Sequence, residues 1–156
     1  MAQDKKYHEQ YERMKRWYSR FKSINETKKH DMPTDYYQDE VYAFFINCYH
    51  LKDWLKNDLY CHVGGEEIEE FVTNSESLRI CGDICNGSKH LILTKPKNNS
   101  ETRIGSRHFS LNLGGWGPII HIEYDVVIGD KVYDAFTLAT KCINEWEVFL
   151  NQHNLL

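Results

Sequence analysis

Long apolar runs are missing from this chain of 156 residues: none approaches the roughly 18 uncharged apolar residues of a membrane span, and the N-terminal MAQDKKYHEQ lacks the apolar stretch of a secretory signal. A cytoplasmic protein with no membrane partner is expected. Also missing are CxxC and HxxxH pairs, a G-x-S-x-G elbow, a P-loop and a dinucleotide fingerprint, so the common local signatures of metal sites, hydrolases and nucleotide enzymes are excluded. Gly114-Gly115-Trp116-Gly117-Pro118 reads as a turn cluster rather than a phosphate cradle. No internal repeat or low-complexity tract is present. The five cysteines are an odd number, and most sit among Leu, Ile and Phe in helical patterns. They read as small buried hydrophobes of a reducing compartment, in preference to ligand sets such as Cys81, Cys85 and His90 or Cys61 and His62. Neither a metal nor a cofactor is expected.

What the chain does have is aromatic bulk: 41% of its residues are hydrophobic and 13% aromatic, enough for one domain with a substantial core. The formal net charge of −4 hides an asymmetry, because residues 1–30 carry nine Lys/Arg against four Asp/Glu. Within that segment Tyr7, Tyr11, Met14, Trp17/Tyr18, Phe21 and Ile24 recur at three- and four-residue steps, the spacing of an amphipathic helix. The opposite face carries Lys6, Arg13, Lys15, Arg16, Arg20 and Lys22, which suits a phosphate backbone, the acidic remainder of the molecule, or water.

Similar periodicity runs through YYQDEVYAFFINCYHLKDWLK and DAFTLATKCINEWEVFLNQ, with Pro33 ahead of the former and Asp134 as the cap of the latter. Between Gly64-Gly65 and Thr73, EEIEEFV reads as a short acidic helix or turn, followed by a T-x-x-E capping box at Thr73–Glu76, with Asn74 and Ser75 as alternative caps. After Leu91 the period changes to two: Phe109, Leu111 and Leu113, then Ile120, Ile122, Tyr124, Val126 and Ile128. The fold expected over residues 1–156 is a single α+β domain, predominantly α. It is a four-helix bundle with helices over about 3–24, 35–57, 75–90 and 135–152, and a small antiparallel β-meander over about 92–133 inserted between helices 3 and 4. Gly82 and Gly87 fall inside the third of these helices, each costing about 1 kcal/mol against Ala, which close approach of another helix or of a ligand would offset.

The third helix also carries the best candidate for chemistry. Arg79, Asp83, Asn86 and His90 fall at i, i+4, i+7 and i+11, within roughly 60° of one another on one helix face. His90 titrates near neutrality and suits a general acid or base, Arg79 or Lys89 a phosphate, and Asn86 donation to an oxygen, with Asp83 orienting the guanidinium. The plainer reading makes Arg79 and Asp83 an ordinary i,i+4 ion pair and His90 a helix-end residue favoured by the dipole. Asn47, His50 and Trp54 form a second stripe at i, i+3 and i+7, either facing a ligand pocket or serving as satisfied groups at a helix interface.

In INCYHLKDWLKND and ICGDICNGSKHL, together about a third of the chain with their surroundings, the sequence resembles HEPN domains of bacteria and phage. Catalytic members of that group carry an arginine, a polar residue and then a histidine at the end of a helix, usually brought together across a homodimer cleft. The resemblance implies RNA binding or metal-independent RNA cleavage in a bacterial or phage conflict system. His90 corresponds to the motif histidine and Asn86 to the polar residue. Arg79 lies eleven residues before His90, outside the motif's spacing but on the same face, and Lys89 is the adjacent cation. The alternatives from the residues themselves are a non-catalytic pocket for a nucleotide or small anion, built from Trp54, Tyr49, Trp116, Arg79 and His90, or a protein-interaction module using the meander or the GGWGP loop.

Overall fold

A computed structural model describes residues 5–26, 31–89, 97, 102–114 and 117–156, with the side chains of 103, 105–114 and 117–121 left aside. Five helices and three strands follow in the order α1 (Lys6–Asn25), α2 (Thr34–Asn57), α3 (Gly65–Asn74), α4 (Glu76–Lys89), β1 (Thr102–Gly114), β2 (Gly117–Ile128), β3 (Lys131–Asp134) and α5 (Ala135–Gln152). The protein is therefore predominantly helical with a small antiparallel sheet. The expected count of four helices is corrected to five among the described residues, because the acidic segment that reads as helix or turn forms α3, anchored by buried Ile68 and Val72. None of the described helices is long and apolar enough to cross a membrane.

α1 and α2 pack along one another, and α4 and α5 complete the core. The stripe read in α1 is the one buried: Tyr7, Tyr11, Met14, Phe21 and Ile24. Phe21 meets Phe44 and Phe45 of α2 and Phe136 of α5, with ring centroids 5.4–6.2 Å apart in tilted or edge-on arrangements. Those geometries match the ring quadrupoles. The sheet has strand order β1-β2-β3, and its register shifts at a bulge between Ile104 and Arg107. Alternate residues Ile122, Tyr124, Val126 and Ile128 of β2 are buried, consistent with a strand that turns one face inward. Gly129, at φ 57°, makes the turn into β3 that a side chain would strain.

Local chemistry fixes the helix ends. Asp134 accepts the Thr137 N–H at 2.7 Å, as the sequence anticipates for α5. For α4 the cap is Ser75, whose Oγ accepts the Leu78 N–H at 3.0 Å while its hydroxyl bonds Glu145 of α5. α1 begins after Lys5, which offers no cap of its own, and Asp58 beyond the end of α2 supplies the acceptor for the Tyr7 N–H at 2.9 Å. The two glycines of α4 differ. A Cβ at Gly82 would lie 2.7 Å from the Tyr49 ring, so α2 and α4 meet there as closely as glycine permits, whereas at Gly87 nothing lies nearer than 3.9 Å. At the chain end, Leu155 is buried and its carbonyl accepts from the Tyr7 hydroxyl at 2.9 Å, closing the C-terminus onto α1.

Candidate functional site

The structure uses the α4 stripe largely for its own architecture. Arg79 donates to the Thr73 carbonyl at 2.6 Å, closing the α3–α4 junction, and forms no ion pair with Asp83. Asp83 is only 1% exposed, and its Oδ1 accepts the Lys97 N–H at 2.8 Å. Its carboxylate thus ties the chain beyond α4 to the helix. Asn86 is half-buried and Lys89 exposed at the end of α4. His90, the proposed acid or base, and Trp116 lie outside the described residues.

Beside this stripe, Lys52 of α2 is 9% exposed and is held by Tyr49 and by Glu69 of α3, its Nζ lying 3.2 Å from a Glu69 oxygen. Burial works against the Lys52 charge, but Tyr49 and Glu69 outweigh it and raise the pKa. Burial likewise opposes the Glu69 charge, and Lys56 and Lys52 overcome it to lower that pKa. Two lysines on one carboxylate bind α3 to α2.

The second stripe separates into two uses. Asn47 is an interface group: its carbonyl and Oδ1 accept from Gln10 Nε2 at 2.8 and 3.3 Å, and its Nδ2 donates to the Ala43 carbonyl. The fixed Gln10 then presents Oε1 to Arg13, whose guanidinium also pairs with Glu9 at 2.7 Å. So positioned, the guanidinium carbon stands 5.4 Å from the centre of the Trp54 ring. The chain from Asn47 through Gln10 and Arg13 therefore orients a cation over an indole, a favourable contact in itself. His50 is exposed and takes no part in it.

Trp54 lines a cavity of about 500 Å³ between the start of α1 and the end of α2, together with Lys6, Leu59, Tyr60 and the carboxylates of Asp53 and Asp58. Asp58 holds the lip, accepting the Tyr60 N–H at 2.9 Å as well as the Tyr7 N–H. Leu59 is 96% exposed and Tyr60 45%, an unusual display of apolar and aromatic side chains for a short turn. About two helical turns further along α1 than Arg13, Arg20 sits 4.5 Å from the half-buried Trp17 ring. Lys6, Arg13 and Arg20 recur every seven residues, so they run along one side of α1 for about 21 Å. The result is a row of cations interleaved with indoles that ends in an aromatic cleft.

A third assembly was not legible from spacing. The sulfurs of Cys48 (α2), Cys81 (α4) and Cys142 (α5) all lie within 4.8 Å of one another, and all three residues are fully buried. Burial raises the Cys81 and Cys142 pKa values well above the ordinary range. Burial works the same way on Cys48, but its neighbours Cys142, Cys81 and Trp146 outweigh it and lower its pKa. Cys85, excluded from the trio, is pushed up to about 11 by burial and by nearby Asp53.

Arg13, Tyr60 and Leu59 were missed in the sequence as partners of Trp54. The available signal was the basic row of α1, but nothing local says that this row lies against the end of α2. No family model, curated protein or solved structure matches the chain.

Proposed function

We propose that the protein is a HEPN-type RNA-binding domain that takes single-stranded RNA along α1 and stacks a base in the cleft at Trp54. The observation that carries this is Arg13 over the ring of Trp54, which lines an open cleft together with Tyr60 and Lys6. Single strands are held by such combinations: cations follow the backbone, and aromatic faces accept bases without regard to sequence. Trp17 under Arg20 continues the same pattern along α1. The HEPN resemblance supplies the preference for RNA.

Binding of a fluorescein-labelled single-stranded RNA, followed by anisotropy at several salt concentrations, tests this. Affinity is expected to fall linearly in log–log form with salt, by about 0.7 per phosphate neutralised. Trp54→Ala is expected to weaken binding about tenfold, as loss of one stacked base would. Binding that is unchanged in Trp54→Ala, or insensitive to salt, would refute the cleft as the RNA site.

RNA cleavage by a homodimer through His90 is the catalytic extension that the same resemblance suggests, with Asn86 and Lys89 as its companions. Metal-free cleavage that disappears in His90→Ala while light scattering still reports a dimer would support it. RNA binding without cleavage would confine the protein to the binding role.

A further inference from the structure

The thiol trio where α2, α4 and α5 meet carries an inference independent of RNA. Cys81 donates its S–H to the Phe45 carbonyl at 3.2 Å, and Cys142 donates to the Ser77 carbonyl at 3.3 Å. The Trp146 indole N–H, fully buried, has no hydrogen-bond acceptor at bonding distance, and its influence falls on Cys48. Three sulfurs from three helices and a donor without an acceptor thus share one buried place in the core.

We propose that Cys48, Cys81 and Cys142 form a site for a trivalent thiophilic metalloid, with arsenite as the ligand. The argument is one of charge and geometry. Three thiolates around a monovalent or divalent ion leave net negative charge in the core, which is costly without a partner. Trivalent arsenic leaves none. Arsenous acid condenses with three thiols: three As–O and three S–H bonds break, three As–S and three O–H bonds form, and three waters depart. No electron changes hands, and Cys81 and Cys142, which burial holds neutral, need not ionise first. Soft thiolate sulfur is the matching donor type. Trivalent arsenic keeps a lone pair and is pyramidal, so at bond lengths near about 2.3 Å its three sulfurs stand roughly 3.4 Å apart. The present separations, up to 4.8 Å, need to shorten by about 1.4 Å at most. Trp146 N–H would then face a sulfur of the complex. Because the three cysteines stand on separate helices, the ligand would also fasten α2, α4 and α5 together and stabilise the folded state.

The test uses the protein with Cys61→Ser and Cys85→Ser, which retains only the trio. After prolonged incubation with sodium arsenite and a phosphine reductant, native mass spectrometry should show one arsenic added and three hydrogens lost. The thermal midpoint should rise. Cys142→Ala in that background should abolish the three-hydrogen adduct. No adduct on folded protein, or an adduct losing fewer than three hydrogens, would overturn the proposal. Should the double variant not fold, the wild-type protein gives the answer by alkylation after unfolding. Protection by arsenite of Cys48, Cys81 and Cys142, with Cys61 and Cys85 still modified, is expected. Protection of a different set would refute the site.

Discussion

The α4 stripe and the α1–α2 face are both products of helical spacing, yet the structure buries the stripe at Asp83 and leaves the end of the α1–α2 face open. Asp83 is 1% exposed and bonded to the Lys97 backbone, while Leu59 at the lip of the α1–α2 cleft is 96% exposed. Periodicity therefore tells which side chains share a face, and it is silent on whether the chain later covers that face. Polar residues on a helix are committed wherever a connecting segment supplies donors to them. Where α1 and α2 lie side by side and the short turn 58–60 stands out, it is aromatic and apolar surface that stays open.

The contrast predicts that core and cleft substitutions separate cleanly. The largest effect is expected for Phe44→Ala, which removes a fully buried ring at the α1–α2–α5 contact and should cost about 3–5 kcal/mol in denaturant unfolding. RNA affinity of the remaining folded protein should be unchanged. Next come the two glycines of α4. Gly82→Ala forces a Cβ against Tyr49 and should destabilise by about 1–3 kcal/mol, whereas Gly87→Ala, whose Cβ meets only an ordinary contact with the Thr102 carbonyl among the described residues, should stabilise by about 0.5–1 kcal/mol. Equal effects at the two sites would mean that α2 and α4 do not approach at Gly82.

Gln10→Ala sharpens the comparison, because it removes the acceptor that positions Arg13 without touching the cleft wall. A stability loss of about 1 kcal/mol is expected, with RNA binding weakened less than in Trp54→Ala. If RNA binding does not move at all, Arg13 is not held for a ligand.

The smallest effect concerns pH. Burial, the Glu147 charge and the hydrogen bond to Glu147 raise Tyr11 from 10.0 to about 12. The folded state holds this proton more tightly than the unfolded chain, so its stabilising contribution is complete below pH 10 and is lost as pH rises from 10 towards 12. Urea midpoints across that interval should fall less steeply in Tyr11→Phe.

Much of the fold was legible because burial has a period. The apolar stripe of α1 and the alternation of β2 at Ile122, Tyr124, Val126 and Ile128 both reappear as buried residues. α3 was ambiguous because ten residues with only Ile68 and Val72 buried show too few turns to establish a period. The site was less legible because its pairings are not local. Trp54 was singled out by spacing, but its partner Arg13 lies 41 positions earlier, and the trio of cysteines is separated by 33 and 61 positions. No motif length spans such distances, and only the packing of α2 against α1, α4 and α5 brings them together.

The most direct test of the central claim is photo-crosslinking of 4-thiouridine-substituted single-stranded RNA to the wild-type protein, with the attached peptides identified by mass spectrometry. Crosslinks are predicted at Trp54, Tyr60 and the Lys6–Arg13 stretch of α1. Crosslinks confined to Lys89, His90 and the segment that follows, with none at the cleft, would contradict the account.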